Sequence, residues 1–334
     1  IYLASATVAA VNVSLARRSP LGLAATVGAA GLALFGWNVR IRPLPFDEGY
    51  ALVAAGQPGI DMSVPDDGSE WKIGPAVDAL VAEADRAGAA ILVLPEGITR
   101  GGATIPPYTG FRIPKRPALV FGGQRGLGPT FQSAFGVADG RWSVADKTRL
   151  VIFGEFVPGR DLLPFLSAFH LPTGDLSAGE RLEGLRFGKW RVGPLVCFEA
   201  LFPDLGLRQA SLDPDFLAVM SIDDWFQDTP APARLASASR WRAVEAGAQL
   251  VRAGTLGKTM IVAPTGAISS EAPYGGRRLV VAPLHKGPGP FPFVWLFPAT
   301  SLLSLIGIPL AKKMRDRPGL ASSKEGAQPE GGEE

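Results

Sequence analysis

The sequence predicts an α/β protein in which layered sheets are covered by helices and flanked by membrane-spanning helices. Three observations carry this. Short apolar runs of β-type residues, most closed by Gly, Pro or an acidic residue, recur between residues 50 and 284. Few stretches between them have helical periodicity, so strands outnumber helices and the sheets must stack. Outside that region, two uncharged runs reach the length needed to cross a bilayer.

Taken in order, "IYLASATVAAVNVSLA" (1–16) is uncharged, ends at Arg17 and Arg18, and reads as the end of a preceding span. "LGLAATVGAAGLALFGWNV" (21–39) is the first full span, and its Gly and Ala suit close packing against another membrane helix. A signal peptide would instead put basic residues first and a small-residue cleavage site last. The first residue is Ile, so an N-terminally truncated or processed chain is expected. The expected strands are "YALVAAG" (50–56), "AAILVLPEG" (89–97), "PALVFGG" (117–123), "LVIFGE" (150–155), "VGPLVCFE" (192–199), "DFLAVMS" (215–221), "AQLVRAG" (248–254), "KTMIVAP" (258–264) and "RRLVVAPL" (277–284). "GPAVDALVAEADRAG" (74–88) sets Val77, Leu80, Val81 and Ala84 on one side of a helix that stops at Gly88. "PARLASASRWRAVEAG" (232–247) is a second helix, also stopped by Gly.

"FPFVWLFPATSLLSLIGIPLA" (291–311) is the second full span, followed at once by "KKMRDR". "GLASSKEGAQPEGGEE" has no apolar content to bury and reads as a disordered tail. The expected division is therefore membrane helices at 1–42, an α/β domain at 43–286, a C-terminal membrane helix at 287–312 and a cytoplasmic tail at 313–334. Arg17, Arg18 and the basic cluster Lys312–Arg317 place those ends in the cytoplasm and the α/β domain outside it, although Arg40 and Arg42 oppose this orientation.

Of 334 residues, 19% are charged and 47% hydrophobic, an excess that the two membrane-length runs explain. A formal charge of +2 is too small to indicate a nucleic-acid partner, no Lys/Arg stripe is interleaved with aromatics, and no such partner is expected. A single cysteine excludes an intrachain disulfide. With that cysteine and only His170 and His285, a structural zinc site would be hard to assemble.

Three expected strand ends carry ionisable groups. Glu96 follows "ILVLP", Lys147 precedes and Glu155 follows "TRLVIFG", and Cys197 ends "GPLV" with Glu199 two residues on. Strand-end loops are where catalytic groups collect in α/β folds. A thiol is mostly protonated at neutral pH, and the thiolate is the nucleophile. A carboxylate in a partly dry pocket can take its proton, and a fixed ammonium can stabilise the oxyanion formed when sulfur attacks a carbonyl. Glu, Lys and Cys thus make a complete set for covalent acyl transfer. Each also has an ordinary reading: Cys197 as inert core, Glu96 as a helix-capping acid, Lys147 as a surface lysine, and Glu155 and Glu199 as ion-pair partners of Arg149 or Arg160. A Cys–His pair has little support, since neither His170 nor His285 sits at such a strand end.

The ordered set "LPEG", "DKTRLVIFGEFVP", "VCFEALFP", "SIDDWF" and "RWRAVEAGAQLVRAGTLG" resembles the nitrilase superfamily, and within it the membrane-bound apolipoprotein N-acyltransferases, over roughly residues 48–285. The resemblance implies a four-layer αββα sandwich with flanking transmembrane helices. It implies a catalytic triad of Glu96, Lys147 and Cys197, supported by Glu155 and Glu199. Phe198, Trp225 and Phe226 are implied near the acyl-binding region, and packing is the other reading of Trp225 and Phe226. It implies a phospholipid acyl donor, a diacylglyceryl-cysteine lipoprotein as acceptor, no metal or organic cofactor, a monomer, and a place in the cytoplasmic membrane with the catalytic domain on its outer side. The chain departs from the family pattern at Phe198 (usually Tyr), Ile222 (usually polar), Thr255 (often Asn), Ile152 (usually Pro) and in lacking a His ahead of "RWRAVE". A membrane-tethered carbon–nitrogen hydrolase, with water resolving the thioester, and a catalytically silent membrane scaffold are the competing readings.

Overall fold

The computed structural model describes residues 2–16, 51–62, 70–99, 109–160, 175–226 and 229–290, with isolated positions between 20 and 31 and at 105 and 107. Helix α1 (Tyr2–Ala16) belongs to a unit separate from the sheets. Among the described residues no helix is long and apolar enough to cross a membrane. Most of the expected span at 21–39, all of that at 291–311, the tail, and His170 lie outside the described residues. Residues 287–290 are irregular.

The described strands form two six-stranded sheets. The first has the order β12-β1-β2-β3-β4-β5, from β1 (Leu52–Gln57), β2 (Ala89–Val93), β3 (Ala118–Arg125), β4 (Phe131–Ala138), β5 (Arg141–Asp146) and β12 (Arg278–Pro283). The second has the order β11-β10-β9-β8-β7-β6, from β6 (Leu185–Phe187), β7 (Trp190–Val196), β8 (Phe216–Ser221), β9 (Leu250–Gly254), β10 (Met260–Val262) and β11 (Ile268–Glu271). Each sheet is parallel at its centre, β1–β2–β3 and β7–β8–β9, and antiparallel towards its edges. Parallel strands are covered on both faces, which is why they read as unbroken apolar runs in the sequence.

Alternation along these strands separates three layers of core. Val53, Ala55, Ile91, Val93 and Val120 pack with Val192, Val196, Ala218, Met220 and Val251 between the sheets. Ala54, Leu92, Leu94, Leu119 and Phe121 point the other way, onto α2 (Glu70–Arg86) through Ile73, Val77, Leu80 and Ala84. Fully buried side chains such as Val77 and Leu80 contribute about 1.5–3 kcal/mol each. Leu195, Leu217, Val219 and Leu250 pack likewise with Leu205 of α3 (Pro203–Ser211) and Ala236 and Ala243 of α4 (Ala231–Ala246). The layers therefore run helix, sheet, sheet, helix.

Sequence periodicity found these central strands but missed others. Asp139 and Gly140, both at positive φ (50° and 72°), make the tight turn joining β4 to β5; a two-residue Asp-Gly loop is a strong hairpin signal. The expected strand at 150–155 is a turn instead. Val151 O accepts the N–H groups of Gly154 and Glu155, and Phe153 sits at φ 62°. Its apolar side chains are not buried: Ile152 and Phe153 are more than half exposed. Lys147 consequently follows a strand, β5, rather than preceding one. Helix α2 also begins four residues before the expected position, with Pro75 inside it.

The segment after β2 is zipped onto β3. Leu94 N–H donates to Val120 O at 2.8 Å, Gly122 N–H to Pro95 O at 3.0 Å, Ile98 N–H to Gly122 O at 3.0 Å and Gln124 N–H to Thr99 O at 3.1 Å. Gly122 makes this approach possible, because a Cβ there would stand 2.8 Å from Glu96 Cα. Gly122→Ala should therefore lower stability by about 1–3 kcal/mol, as overpacking does, measured as a fall in the urea midpoint at unchanged m-value.

Candidate active site

Glu96, Lys147 and Cys197 come from three strand ends and meet in one buried cluster. Glu96 lies three residues beyond β2, Lys147 directly after β5, and Cys197 directly after β7. Lys147 is fully buried, and Glu96 and Cys197 are nearly so. Lys147 Nζ is 3.8 Å from Glu96 Oε1 and 2.6 Å from Glu155 Oε1. The Cys197 side chain and the Ile222 backbone both act on the Glu96 carboxyl and favour its charged form. The other oxygen of Glu155 accepts Val151 N–H at 2.8 Å, so this carboxylate both pairs with the lysine and closes the turn.

Cys197 has φ 51°, in the left-handed region that side-chain-bearing residues rarely enter. It stands where β7 gives way to a short 3-10 turn, Cys197–Leu201. Glu199 explains how that conformation is held. Its Oε2 accepts Val196 N–H at 2.9 Å, and its Oε1 accepts Thr148 N–H at 2.8 Å, Thr148 Oγ1–H at 2.9 Å and Arg149 N–H at 3.3 Å. One buried carboxylate thus ties the strand bearing the cysteine to the segment bearing the lysine. Strained backbone of this kind persists only where its surroundings over-determine it.

The electrostatics follow from burial and proximity. Burial, followed by the attraction of Lys147 and the repulsion of Glu155, leaves the Glu96 carboxyl above the usual carboxylate range. Burial and the nearby Glu96 push the Cys197 thiol up to about 12, against a smaller opposing effect of Lys147. Burial alone would favour a neutral Lys147, but Glu96, Cys197 and Glu155 together outweigh it and hold the ammonium above its ordinary range. The resting cluster is therefore a neutral thiol beside a carboxyl group and a fixed ammonium.

The other candidates are placed less centrally. Phe198 is half-buried, edge-on to Phe202 with ring centroids 5.1 Å apart. Trp225 is 59% exposed and Phe226 half-buried, on the segment that follows β8. Arg149 and Arg160 pair with Asp204 and Asp175 rather than with Glu155 or Glu199. His285 donates its backbone N–H to Gln249 at 2.6 Å. Among the described residues no cluster of three or more metal-ligating side chains is present.

Three residues without a sequence signal of their own also belong to the cluster. Ser221 Oγ lies 3.4 Å from Cys197 Sγ and 2.6 Å from Asp223 Oδ1, and Arg252 Nη2 donates to both Asp223 oxygens at 2.8 and 2.7 Å. The segment "SIDD" invites attention through its paired acids, but which of them turns inward depends on strand pairing. Ile222, where a polar residue was expected, places its side chain in the space beside Gly97, and its backbone favours the charged form of Glu96.

Residues 138–287 match the carbon-nitrogen hydrolase family; Lys147 and Cys197 fall inside this stretch and Glu96 before it. The chain is 37% identical over 145 residues to the apolipoprotein N-acyltransferase of Geobacter metallireducens, covering 43% of this chain and 28% of that protein. It is 33% identical over 145 residues to the apolipoprotein N-acyltransferase of Pseudomonas syringae pv. tomato, covering 42% and 28% respectively. The chain thus spans less than a third of the length of these curated relatives. Among solved structures, Saccharomyces cerevisiae Nit3, a member of branch 10 of the nitrilase superfamily, superposes with a TM-score of 0.50 at 16% identity, covering 70% of this chain and 90% of that one. The fold is a nitrilase-like α/β sandwich of two sheets.

Glu199→Gln should be costly although it conserves shape. The amide nitrogen would face backbone N–H groups that now donate to an oxygen, leaving at least one buried donor without an acceptor. We expect a loss of about 1–3 kcal/mol, read as a lowered urea midpoint, together with slower modification of Cys197 by iodoacetamide.

Proposed function

From the match of residues 138–287 to the carbon-nitrogen hydrolase family, we propose that this chain carries the catalytic domain of a membrane-bound N-acyltransferase. It would move a fatty acyl group from a phospholipid, through a thioester on Cys197, to the N-terminal amine of a diacylglyceryl-cysteine lipoprotein. The observation that carries the reading is the buried convergence of Glu96, Lys147 and Cys197, with Lys147 Nζ 3.8 Å from Glu96 Oε1 and both charges acting on the thiol. The names of the relatives select acyl transfer from among the reactions such a cluster can run.

In this reading Glu96 removes the thiol proton as sulfur attacks the ester carbonyl. The Lys147 ammonium, with a backbone N–H, faces the negative charge that develops on the carbonyl oxygen. Collapse of the tetrahedral intermediate breaks the carbon–oxygen bond, and Glu96 returns the proton to the departing glycerol oxygen. The lipoprotein amine then attacks the thioester, Glu96 takes a proton from its nitrogen, and the restored thiol leaves behind an amide. Proton count and charge balance over the two half-reactions, so no cofactor is called for. Glu155 and Glu199 hold Lys147 and the cysteine turn in place.

Both substrates are lipids, which gives a purpose to the apolar runs at 21–39 and 291–311: they would fix the domain at the outer face of the cytoplasmic membrane and confine encounter to two dimensions. Exposed apolar side chains within three residues of site groups, Ile152 and Phe153 near Glu155 and Trp225 near Asp223, suit acyl-chain contact. Phe226, half-buried, directly follows Trp225, and Phe198, also half-buried, directly follows Cys197.

Exposure of the detergent-purified protein to phospholipid should add the mass of one fatty acyl group at Cys197, removable by hydroxylamine and absent in Cys197→Ala. A lipopeptide acceptor should then yield an amide; release of free fatty acid alone would establish a hydrolase instead, and no acyl-enzyme at all would leave a scaffold. The pH dependence has a definite sign. Glu96 must be ionised to act as base, and burial raises its folded value, so the acid limb of acyl-enzyme formation should fall at a higher pH than an ordinary carboxylate would give. Glu96→Gln should remove that limb and slow acyl-enzyme formation by about 10²–10⁴-fold, measured by single-turnover mass spectrometry.

A further inference from the structure

Ser221 closes β8, and the parallel register of β7 with β8 sets Val196 opposite Met220. The next residue along each strand is therefore Cys197 on one and Ser221 on the other, and both Ser221 contacts, to Cys197 Sγ and to Asp223, are buried. A hydroxyl carries one proton, so Ser221 can donate to the sulfur at 3.4 Å or to Asp223 at 2.6 Å, but not to both. Asp223 does not depend on that proton, because Arg252 Nη2 donates to both its oxygens. Arg252 is itself fixed, donating through Nη1 to Lys258 O at 3.0 Å.

The sulfur's demand for a donor changes during the reaction. As a thiol it is a weak acceptor and carries its own proton. As a thiolate it is a buried anion with no proton. The charged groups acting on it are Glu96 and Asp223, which oppose its charge, and Lys147, which favours it and is shared with Glu155. A neutral donor on the remaining side would stabilise the thiolate without adding charge to the cluster.

We propose that Ser221 is a two-position donor to the nucleophile: it donates to Asp223 while Cys197 is a thiol and turns onto the sulfur when Glu96 takes the thiol proton, with Arg252 holding Asp223 satisfied throughout. No covalent bond changes at Ser221, which keeps its proton. The contact is gained only as sulfur becomes anionic, so it lowers the barrier instead of tightening the resting state. This rests on Cys197 being the nucleophile, as proposed above.

The test is alkylation of Cys197 by iodoacetamide in the full chain, followed by mass spectrometry across the neutral and alkaline range; it requires no lipid substrate. Ser221→Ala should react about tenfold more slowly at neutral pH, with its rate-against-pH curve displaced to higher pH, as expected for losing a hydrogen bond to a charged group. Ser221 is fully buried, so a second pair controls for packing. Ser221→Thr keeps a hydroxyl and Ser221→Val has nearly the same shape without one, and the Thr variant should react about tenfold faster than the Val variant. Wild-type behaviour of Ser221→Ala, or equal rates for Thr and Val, would overturn the proposal. Glu96→Gln separates this from the wider reading. If the wild-type chain alkylates no faster than Glu96→Gln, the activated nucleophile itself fails; if it does and Ser221→Ala matches wild type, only the role of Ser221 fails.

Discussion

A buried ammonium is the constraint around which the rest of this structure is arranged. Lys147 has no exposure, and an ion removed from water is tolerated only where partners replace its hydration. Glu155 supplies one partner in direct contact and Glu96 a second at longer range. Removing either carboxylate would leave charge uncompensated in the interior. The turn at 151–156, the segment after β2 and the end of β5 are therefore bound to one another by a single side chain. Chemistry and folding make the same demand here: the cation that would stabilise an oxyanion is buried against both acids.

The thiol is held by a different device. A left-handed residue at the end of a buried parallel strand costs conformational energy, and Glu199 offsets that cost with bonds running in two directions. One oxygen reaches back to the strand that ends at Val196, and the other crosses to Thr148 and Arg149. Lysine and cysteine thus share a brace that touches neither of their reactive atoms. This also accounts for an acid two residues after the cysteine: a neutral side chain of similar size could not accept from all these donors at once.

Much of this was legible in the sequence because fully buried parallel strands leave an unmistakable apolar signature. The runs containing Leu92, Val196, Met220 and Val251 are all in place as strands. The hairpin at one side of the first sheet was harder to see. β4 and β5 mix polar with apolar residues, and the Asp139–Gly140 turn that marks them is only two residues long. Residues 150–155 misled for the opposite reason: Val151, Ile152 and Phe153 are as apolar as any strand here, but the carboxylate of Glu155 folds the backbone onto itself and leaves Ile152 and Phe153 outside. At the site, strand-end Glu, Lys and Cys could be picked out by residue type. Ser221, Asp223 and Arg252 could not, since their meeting depends on the registers of β7 with β8 and β8 with β9, which no local pattern encodes.

Those registers have a wider consequence. Cys197, Ser221 and Arg252 are spaced by the ladder of the second sheet, whose hydrogen bonds fix neighbouring strands regardless of what the intervening loops contain. Exposed side chains such as Trp225 can thus vary without disturbing the spacing of these three residues. A scaffold built in this way lets the exposed surface diverge while the sulfur and its neighbours travel together as a cassette.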